Sequence, residues 1–484
     1  MVIRFIWGIF WRVGAFLALV AAGLWWGNRP PEWNGEAVLA ANDTKIEGRA
    51  GLIVVALAQP EKFEPKFFEN FVEKLFTQVI PWPVNALVGG DNGVVLVDPG
   101  QPYMIKRRTP HRLADIWGRE ADVDGIRWVE KYRRGQLRWE KPSATARKDF
   151  GYYLYPARRQ GMRTPAAKAA VKARYLYYAQ LPGGVLPHYR QTVDFAQGAV
   201  AEAQRRYPIV AGAMADAFDP YAKEQAVTRV LDAGVETLIL ASAQPIYSRF
   251  EELGGSFVGV HKIVEKWRKA HGNKPVKIVI APWLATQPAY EKLILDHFAE
   301  TVPQASVPGE AATGILSLHG LPVSLASSDG WSGRSAALGK RLIPQAEAIL
   351  RAKGYARVRV ALGSEAFADG IEDPGNKIVS VNELYRQAIA AGDAVAVAVP
   401  LEFLAENTDS LFGHQVFFFN GLPGYRDYNG PPATVDWSKP YVRRLQSGKT
   451  LILYAGAPGG LTVPRQSAAL ADAIGTVFRH EPTR

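Results

Sequence analysis

Short runs rich in Val, Ile, Leu and Ala recur along the chain from residue 51 onward. Most of these runs are continuous rather than alternating, which is typical of strands that are buried on both faces of a parallel sheet. The pattern predicts two blocks of four strands, at 51–58, 208–215, 236–243 and 276–282, and at 313–320, 356–364, 394–401 and 450–456.

Segments with helical periodicity separate several of the predicted strands. They lie at 221–233, 259–271, 336–353 and 381–391. Strands and helices in alternation indicate an α/β protein with doubly wound sheets. Because the strands form two blocks, we predict two similar, Rossmann-like halves, at 51–310 and 311–484, whose parallel sheets face a central cleft.

An apolar segment at 5–27 precedes the predicted sheets. Its 23 residues, with Arg12 as the one charged side chain, match the roughly 20 that a helix needs to cross a bilayer. A signal peptide is the alternative, but no clear small-residue cleavage site follows Ala22. We therefore predict an uncleaved, single-pass anchor at 1–30 and a linker at 31–50. An excess of one basic residue before the apolar core places the folded body in a bacterial periplasm, outside the inner membrane.

Positive charge is concentrated in one segment of the chain. Between residues 127 and 174, fourteen Lys and Arg residues stand against three acidic ones, whereas the whole chain has a net charge of +11. We assign this segment to a long insertion at about 84–180 in the first half. Interleaved aromatic residues suggest nucleic acid, but the predicted anchor argues against it. Anionic lipid and a carboxylate-rich tetrapyrrole are better partners, and a solvated surface is the third alternative.

Composition excludes several kinds of chemistry. The 484 residues include no cysteine, which rules out disulfides, thiolate catalysis and iron–sulfur ligation. Neither a phosphate-binding glycine loop nor a Gly-x-Ser-x-Gly motif is present. A protein-bound metal ion would therefore need histidine, carboxylate, tyrosine or backbone oxygen as its ligands.

One histidine lies where open α/β sheets bind ligands. Residues 315–324, ILSLHGLPVS, place His319 at the carboxyl end of a predicted strand, and the following Gly and Pro end that strand in a loop. A neutral imidazole in this position can coordinate a divalent metal ion or accept a proton. A single histidine after an apolar run is also common as a packing residue.

The segment around His319 resembles the histidine motif of ferrochelatases and the related single-subunit cobalt chelatases. Residues 51–61 (GLIVVALAQPE), 233–248 (AGVETLILASAQPIYS) and the VPLEF sequence within 394–411 are similar to other segments of that family, in the same order. The resemblance implies a metal chelatase, a lyase that inserts a divalent ion such as Fe, Co or Zn into a tetrapyrrole. The resemblance covers most of residues 51–484. The compact members of the family lack the long insertion at about 84–180.

The resemblance also implies a set of site residues. His319 becomes metal ligand or base, and Asp409 stands at the family's acidic position, whereas Asn407 replaces a family histidine. Glu402 as a metal ligand, Glu406 as a catalytic acid and His414 are alternatives in the same loop, and His414 is interpreted as a structural loop residue. Side chains at or after strand ends that could line a bound tetrapyrrole are Met214, Tyr247, Trp283 and Trp331.

Two functional hypotheses follow. The first is a membrane-anchored chelatase with His319 and a carboxylate of the 402–409 loop at the metal ion, because metal insertion needs both ligands and a base for the pyrrole protons. The second is a non-catalytic protein of the same fold that binds a tetrapyrrole or a metal ion, or that scaffolds a membrane complex. The missing histidine at position 407 favours the second hypothesis, whereas the presence of His319 in an otherwise family-like loop favours the first, which we prefer.

Overall fold

The computed structural model describes residues 13–23, 46–63, 95–96, 153–154, 178, 181–217, 219–248, 256–320, 329–366, 378–419, 421–425 and 434–479. The chain divides into two compact units. One comprises Met1–Pro31 with Phe63–Gln180, and the other comprises Glu32–Lys62 with Leu181–Arg484. In the first unit, Val95–Leu96 pairs antiparallel with Tyr153–Leu154.

The predicted anchor falls mostly outside these residues. Positions 13–23 are helical, and the remainder of 5–27 is not described, nor are most of the linker and of the basic insertion. In the part of the chain that the structure describes, no helix has the length and apolar character needed to cross a bilayer. The membrane anchor thus stays a prediction.

The second unit contains both predicted blocks of strands. The first block forms a parallel sheet of β1 (Ala50–Ala56), β2 (Ile209–Asp216), β3 (Thr237–Ser242) and β4 (Lys277–Ile280), in the order β2-β1-β3-β4. Its helices are α1 (His188–Arg206), α2 (Pro220–Asp232), α3 (Phe257–Ala270) and α4 (Pro288–Thr301). All four predicted strands are present, whereas α1 and α4 were not predicted.

The second block forms a larger sheet in the same unit. Its strands are β5 (Ala311–His319), β6 (Arg357–Ala366), β7 (Val379–Ser380), β8 (Val395–Pro400), β9 (Val442–Ser447) and β10 (Thr450–Ala455), in the order β9-β10-β8-β5-β6-β7. All neighbours are parallel apart from the β9–β10 hairpin. Its helices are α5 (Trp331–Ala352), α6 (Val381–Ala391), α7 (His414–Phe419) and α8 (Val463–Arg479). The four predicted strands of this block correspond to β5, β6, β8 and β10, whereas β7, β9, α7 and α8 were not predicted.

Alternate residues of each strand face opposite layers of helices, which explains the continuous apolar runs. In β1, Ile53 and Val55 pack against α2 and α3, whereas Leu52 and Val54 belong to a second core on the other face. The inner residues of β5 and β8, such as Leu316 and Val397, belong to this same second core. The two halves therefore share this second core, and each half has a further core of its own on the opposite face of its sheet.

The carboxyl-terminal helix connects the halves. Helix α8 follows the last strand of the second half, yet it packs against α1 of the first half. The Tyr207 and Phe478 rings stack at 5.3 Å between centroids, and Arg206 forms an ion pair with Asp472. The packing of α8 on α1 thus joins the last helix of the second half to the first helix of the first half.

Close packing in the shared core predicts the effect of one added methyl group. Gly314 lies in β5, and a Cβ atom there would lie 2.8 Å from Phe298 Cζ and 3.0 Å from Val360 Cγ2. We expect Gly314→Ala to lower the free energy of unfolding by about 1–3 kcal/mol, the usual cost of overpacking. Urea unfolding measures it. In a Phe298→Leu background the same change should cost less, and an equal cost in both backgrounds would contradict the proposed contact.

Candidate metal centre

Three potential metal ligands meet at the carboxyl ends of the second sheet. His319 is the last residue of β5, Glu365 lies near the end of the adjacent β6, and His414 is the first residue of α7. One ligand atom from each lies within 4.8 Å of the others. Parallel neighbouring strands end at one edge of the sheet, so their last side chains are brought together.

The carboxylate of Glu365 lies between the two imidazoles. Its Oε2 atom is 3.3 Å from His414 Nε2 and 3.8 Å from His319 Nδ1. The side chains of Glu365 and His414 are at most 2% exposed, whereas that of His319 is 27% exposed. An ion or a ligand would thus reach the centre from the side of His319.

Neighbouring groups orient the two buried ligands. The Ser317 hydroxyl donates a hydrogen bond of 2.5 Å to Glu365 Oε1, which turns the other carboxylate oxygen toward the imidazoles. His414 Nδ1 lies 3.0 Å from the Tyr454 hydroxyl, and its ring stacks on Phe418 at 5.3 Å. If Nδ1–H donates to Tyr454, Nε2 keeps its lone pair for a metal ion. Hydrogen bonds of this kind usually orient metal ligands in proteins.

Two of the ligand atoms are buried without a hydrogen bond. Within the described part of the chain, neither Glu365 Oε2 nor His414 Nε2 has a hydrogen-bond partner. A buried polar atom that lacks a partner costs roughly 1–3 kcal/mol, so such atoms are rare unless water or an ion satisfies them. Their proximity makes this cluster the candidate metal site among the described residues.

Burial favours the neutral forms of all three side chains. It lowers the pKa of His414 to about 3, with repulsion from His319 as the next cause, and it also lowers the pKa of His319. It raises the pKa of Glu365 well above its usual value, and the nearby Glu402 charge raises it further. The imidazoles are therefore unprotonated at neutral pH, as a metal ion requires, and a bound cation would compete with protonation of Glu365.

A second buried carboxyl group adjoins the centre. Glu402 accepts a hydrogen bond of 2.9 Å from the backbone N–H of His319. Burial raises the pKa of Glu402 to about 7, although interactions with the Ser335 hydroxyl, the His319 backbone and the Trp331 indole oppose the shift. A carboxyl group with this pKa gains and loses a proton near neutral pH, which is what a general base needs.

The other acidic residues of the loop lie in different surroundings. Glu406 forms an ion pair with Arg443, with 3.2 Å between Oε1 and Nη1, and both side chains are 1% exposed. It also accepts a hydrogen bond from Ser410. The carboxylate of Glu406 thus has an arginine and a hydroxyl as its partners, and the catalytic role predicted for Glu406 stays a prediction. The charge of Asp409, in the same loop, raises the pKa of both His319 and His414.

The four predicted macrocycle contacts do not form one wall. Trp331 is buried beside Glu402. Tyr247 and Trp283 stack at 5.1 Å, and the Arg334 guanidinium lies 5.0 Å and 5.6 Å from their ring centroids. Met214 instead lines a groove of about 390 Å³ between α1, β2 and α2.

The sequence analysis missed Glu365 and assigned His414 to the loop structure. Glu365 directly follows the predicted strand 356–364, and a carboxylate just after a buried run is a usable signal. Glu365 comes close to His319 only because β6 pairs with β5, and an apolar run in the sequence does not reveal which strands pair. His414 comes near the centre because the backbone turns through a π-helical segment, Asp409–Gly413, before α7 begins. No pattern in the sequence predicted that turn.

Comparison with known proteins gives distant similarities only. No family model and no curated protein matches the chain. Among solved structures, SirB from Bacillus subtilis with Fe³⁺ is 10% identical, with 60% of this chain and 90% of that chain covered and a TM-score of 0.34. DR2241 from Deinococcus radiodurans, described as a multi-domain protein with structural similarity to chelatases, is 12% identical over 62% of this chain, with a TM-score of 0.30. The match covers 53% of DR2241. Since both TM-scores are low, the function has to be inferred from the centre's own residues.

The raised pKa of Glu402 predicts a pH-dependent stability difference in the metal-free protein. Below pH 4.5, the usual pKa, Glu402 is protonated in the folded and the unfolded state. As the pH rises toward about 7, the unfolded state loses this proton first, so the wild type loses stability relative to a variant that does not titrate.

We therefore expect Glu402→Gln to be as stable as the wild type near pH 4.5 and more stable by about 3 kcal/mol above pH 7, at about 1.36 kcal/mol per unit of pKa shift. Urea unfolding of both proteins between pH 5 and pH 8 measures the difference. A constant difference across this range would show that Glu402 titrates normally.

Proposed function

We propose that this protein binds a divalent transition-metal ion through His319, Glu365 and His414, and that it inserts the ion into a tetrapyrrole. The observation that supports the proposal is the meeting of three ligand atoms within 4.8 Å, two of them buried without a hydrogen bond in the described residues. The metal ion is the substrate, and the tetrapyrrole is its acceptor.

The ligand types favour a particular class of metal ion. Two imidazoles and one carboxylate suit Fe(II), Co(II) and Zn(II), whereas Mg²⁺ and Ca²⁺ prefer sites made of oxygen atoms. Three protein ligands also leave coordination positions open, which is typical of catalytic rather than structural metal sites. An ion held in this way can exchange its remaining ligands, as transfer to a macrocycle requires.

Metal insertion also needs groups that accept protons. Two pyrrole N–H protons have to leave when a metal ion enters the ring, and a base with a pKa near the working pH is best suited to accept them. Glu402, with a pKa of about 7, accepts a hydrogen bond from the backbone N–H of His319, the most exposed of the three ligands. We assign the role of base to Glu402 rather than to Glu406, whose carboxylate is paired with Arg443.

Titration with Co(II), followed through its visible absorption bands, tests the ligands. We expect Glu365→Gln and His414→Ala each to lower the affinity by more than the roughly 10- to 100-fold that removal of an outer hydrogen bond costs. Ser317→Ala removes only the hydrogen bond to Glu365 and should fall within that range. His261→Gln, a change on α3, is the matched histidine control and should leave the affinity unchanged.

Equal affinities for the wild type and His414→Ala would exclude the proposed ligand set. The catalytic step is tested separately, by adding porphyrins with Fe(II), Co(II) or Zn(II) to the wild type and following the porphyrin absorbance bands. Tight metal binding without porphyrin metalation would favour the alternative function, that of a non-catalytic metal-binding protein.

A further inference from the structure

Glu406, in the loop that leads to His414, forms a buried ion pair with Arg443 of strand β9. Two contacts of 3.2 Å join the side chains, from Arg443 Nη1 to Glu406 Oε1 and from Arg443 Nη2 to Glu406 Oε2. A two-pronged contact of this kind fixes the plane of the guanidinium as well as its distance from the carboxylate. The groups that contact the guanidinium are therefore held together with the Arg443–Glu406 pair.

The pair holds the π-helical segment that leads to His414. Arg443 Nη2 donates a hydrogen bond of 2.8 Å to the Ser410 carbonyl, and the Ser410 hydroxyl donates one of 2.5 Å to Glu406 Oε2. Ser410 thus contacts both members of the pair. At the end of the same segment, the backbone N–H of His414 donates to the Asp409 carbonyl. The backbone position of His414 therefore depends on a segment that the pair fixes.

The same guanidinium also contacts the residue that binds the His414 ring. Arg443 Cζ lies 4.9 Å from the centroid of the Tyr454 ring, which is within the range of a cation–π attraction. The Tyr454 hydroxyl is in turn 3.0 Å from His414 Nδ1. Arg443 is thus connected to His414 by two routes, through the backbone of the π-helical segment and through the Tyr454 ring.

A glycine lets the pair lie close to the strand that carries Tyr454. Gly456 directly follows β10, and Tyr454 lies in that strand two residues earlier. A Cβ atom at Gly456 would overlap with both Glu406 Oε1 and Arg443 Nη1. The absence of a side chain at position 456 therefore allows the close approach of the pair to β10.

We propose that the Arg443–Glu406 pair positions His414 as a metal ligand, through the Ser410 carbonyl and the Tyr454 ring. This inference rests on the proposed metal-binding function. Replacement of a buried ion pair by residues without charge is often neutral or even stabilising, so stability alone does not account for the pair. Arg443 and Glu406 are positioning residues, because they act through His414 and are not ligands themselves.

The first test uses metal-free protein, so that it does not depend on metal binding. We expect the ¹⁵N resonances of the His414 ring, assigned by comparison with His414→Ala, to shift in the double variant Arg443→Met/Glu406→Gln. The double change leaves neither buried charge without its partner, which favours folding. The matched control is Arg206→Met/Asp472→Asn, which removes the ion pair between α1 and α8 and should leave these resonances in place. Unchanged His414 resonances in Arg443→Met/Glu406→Gln would overturn the proposal.

The second test measures Co(II) affinity. The variant Arg443→Met/Glu406→Gln should bind Co(II) roughly 10- to 100-fold more weakly, as loss of outer hydrogen bonds does, and should keep the visible spectrum because the three ligands remain. In a His414→Ala background the same double change should cause little further loss, since the pair acts through His414. An equal loss in both backgrounds, an unchanged affinity or an altered spectrum would show that the pair does not act in this way.

A third variant displaces the pair without removing either charge. Gly456→Ala should also weaken Co(II) binding, because the added methyl group has to push the pair away from β10. Gly259→Ala on α3 is the matched control and should leave the affinity unchanged, since its methyl group would meet only the flexible side chain of Lys223. Wild-type affinity in Gly456→Ala would contradict the proposal.

The outcomes of these tests separate the inference from the proposed function. If the His414 resonances shift in Arg443→Met/Glu406→Gln but the wild type does not bind Co(II), the proposed function fails and the positioning of His414 by the pair stands. If the wild type and this double variant bind Co(II) equally well, the metal-binding function stands and the inference about the pair is wrong.

Discussion

The cost of burying polar groups is the constraint on which this site depends. Glu365 is placed where water does not reach it, and burial alone would keep its carboxyl group protonated. Two imidazoles face the same carboxylate, and burial removes their charge as well. A divalent cation would favour the ionised form of the carboxyl group and would bind the imidazoles in their neutral form. In the proposed function, the free energy lost by excluding water from these atoms would favour the metal-bound state of the centre over its empty state.

The surrounding hydrogen bonds make this arrangement specific. Ser317 is two residues before His319 on β5, and Tyr454 is on β10, so the groups that orient Glu365 and His414 belong to the rigid sheet. A ligand held by a strand keeps its position better than one held by a loop alone. His414 follows a loop, and the packing of its ring on Phe418 and against Tyr454 compensates for that.

The packing of the two halves also holds the loop that precedes His414. Both sheets contribute to one hydrophobic core, and α8 returns from the second half to pack on α1. This packing brings the beginning of α1 near the loop after β8, where Gln59 and Gln191 bind backbone N–H groups of the loop. A core shared in this manner resists relative movement of the halves, because close-packed interiors do not deform continuously.

Much of the fold could be predicted, because buried parallel strands leave a strong signature. The eight predicted strands are all present, and five of them (β1, β3, β5, β8 and β10) are buried along almost their whole length, as their apolar runs indicated. The hairpin strand β9 escaped prediction because it reads VRRLQS and lies at the sheet edge, where polar residues are tolerated. Helix α1 escaped because it begins without a capping side chain, and its apolar positions are mostly small alanines.

The sequence by itself determined the class of fold, the position of His319 at a strand end and the absence of thiol chemistry. These properties are local, since they depend on residue type and on the spacing of apolar positions along a few residues. Only the tertiary structure decided which acids and histidines accompany His319. Glu365 lies next to His319 because β6 pairs with β5. Glu406 forms an ion pair with Arg443, which lies in the β9–β10 hairpin. His414 comes close to both because the chain before it forms a π-helical turn. A metal site depends on distances of a few ångströms between residues far apart in the chain, and only strand order and packing set those distances.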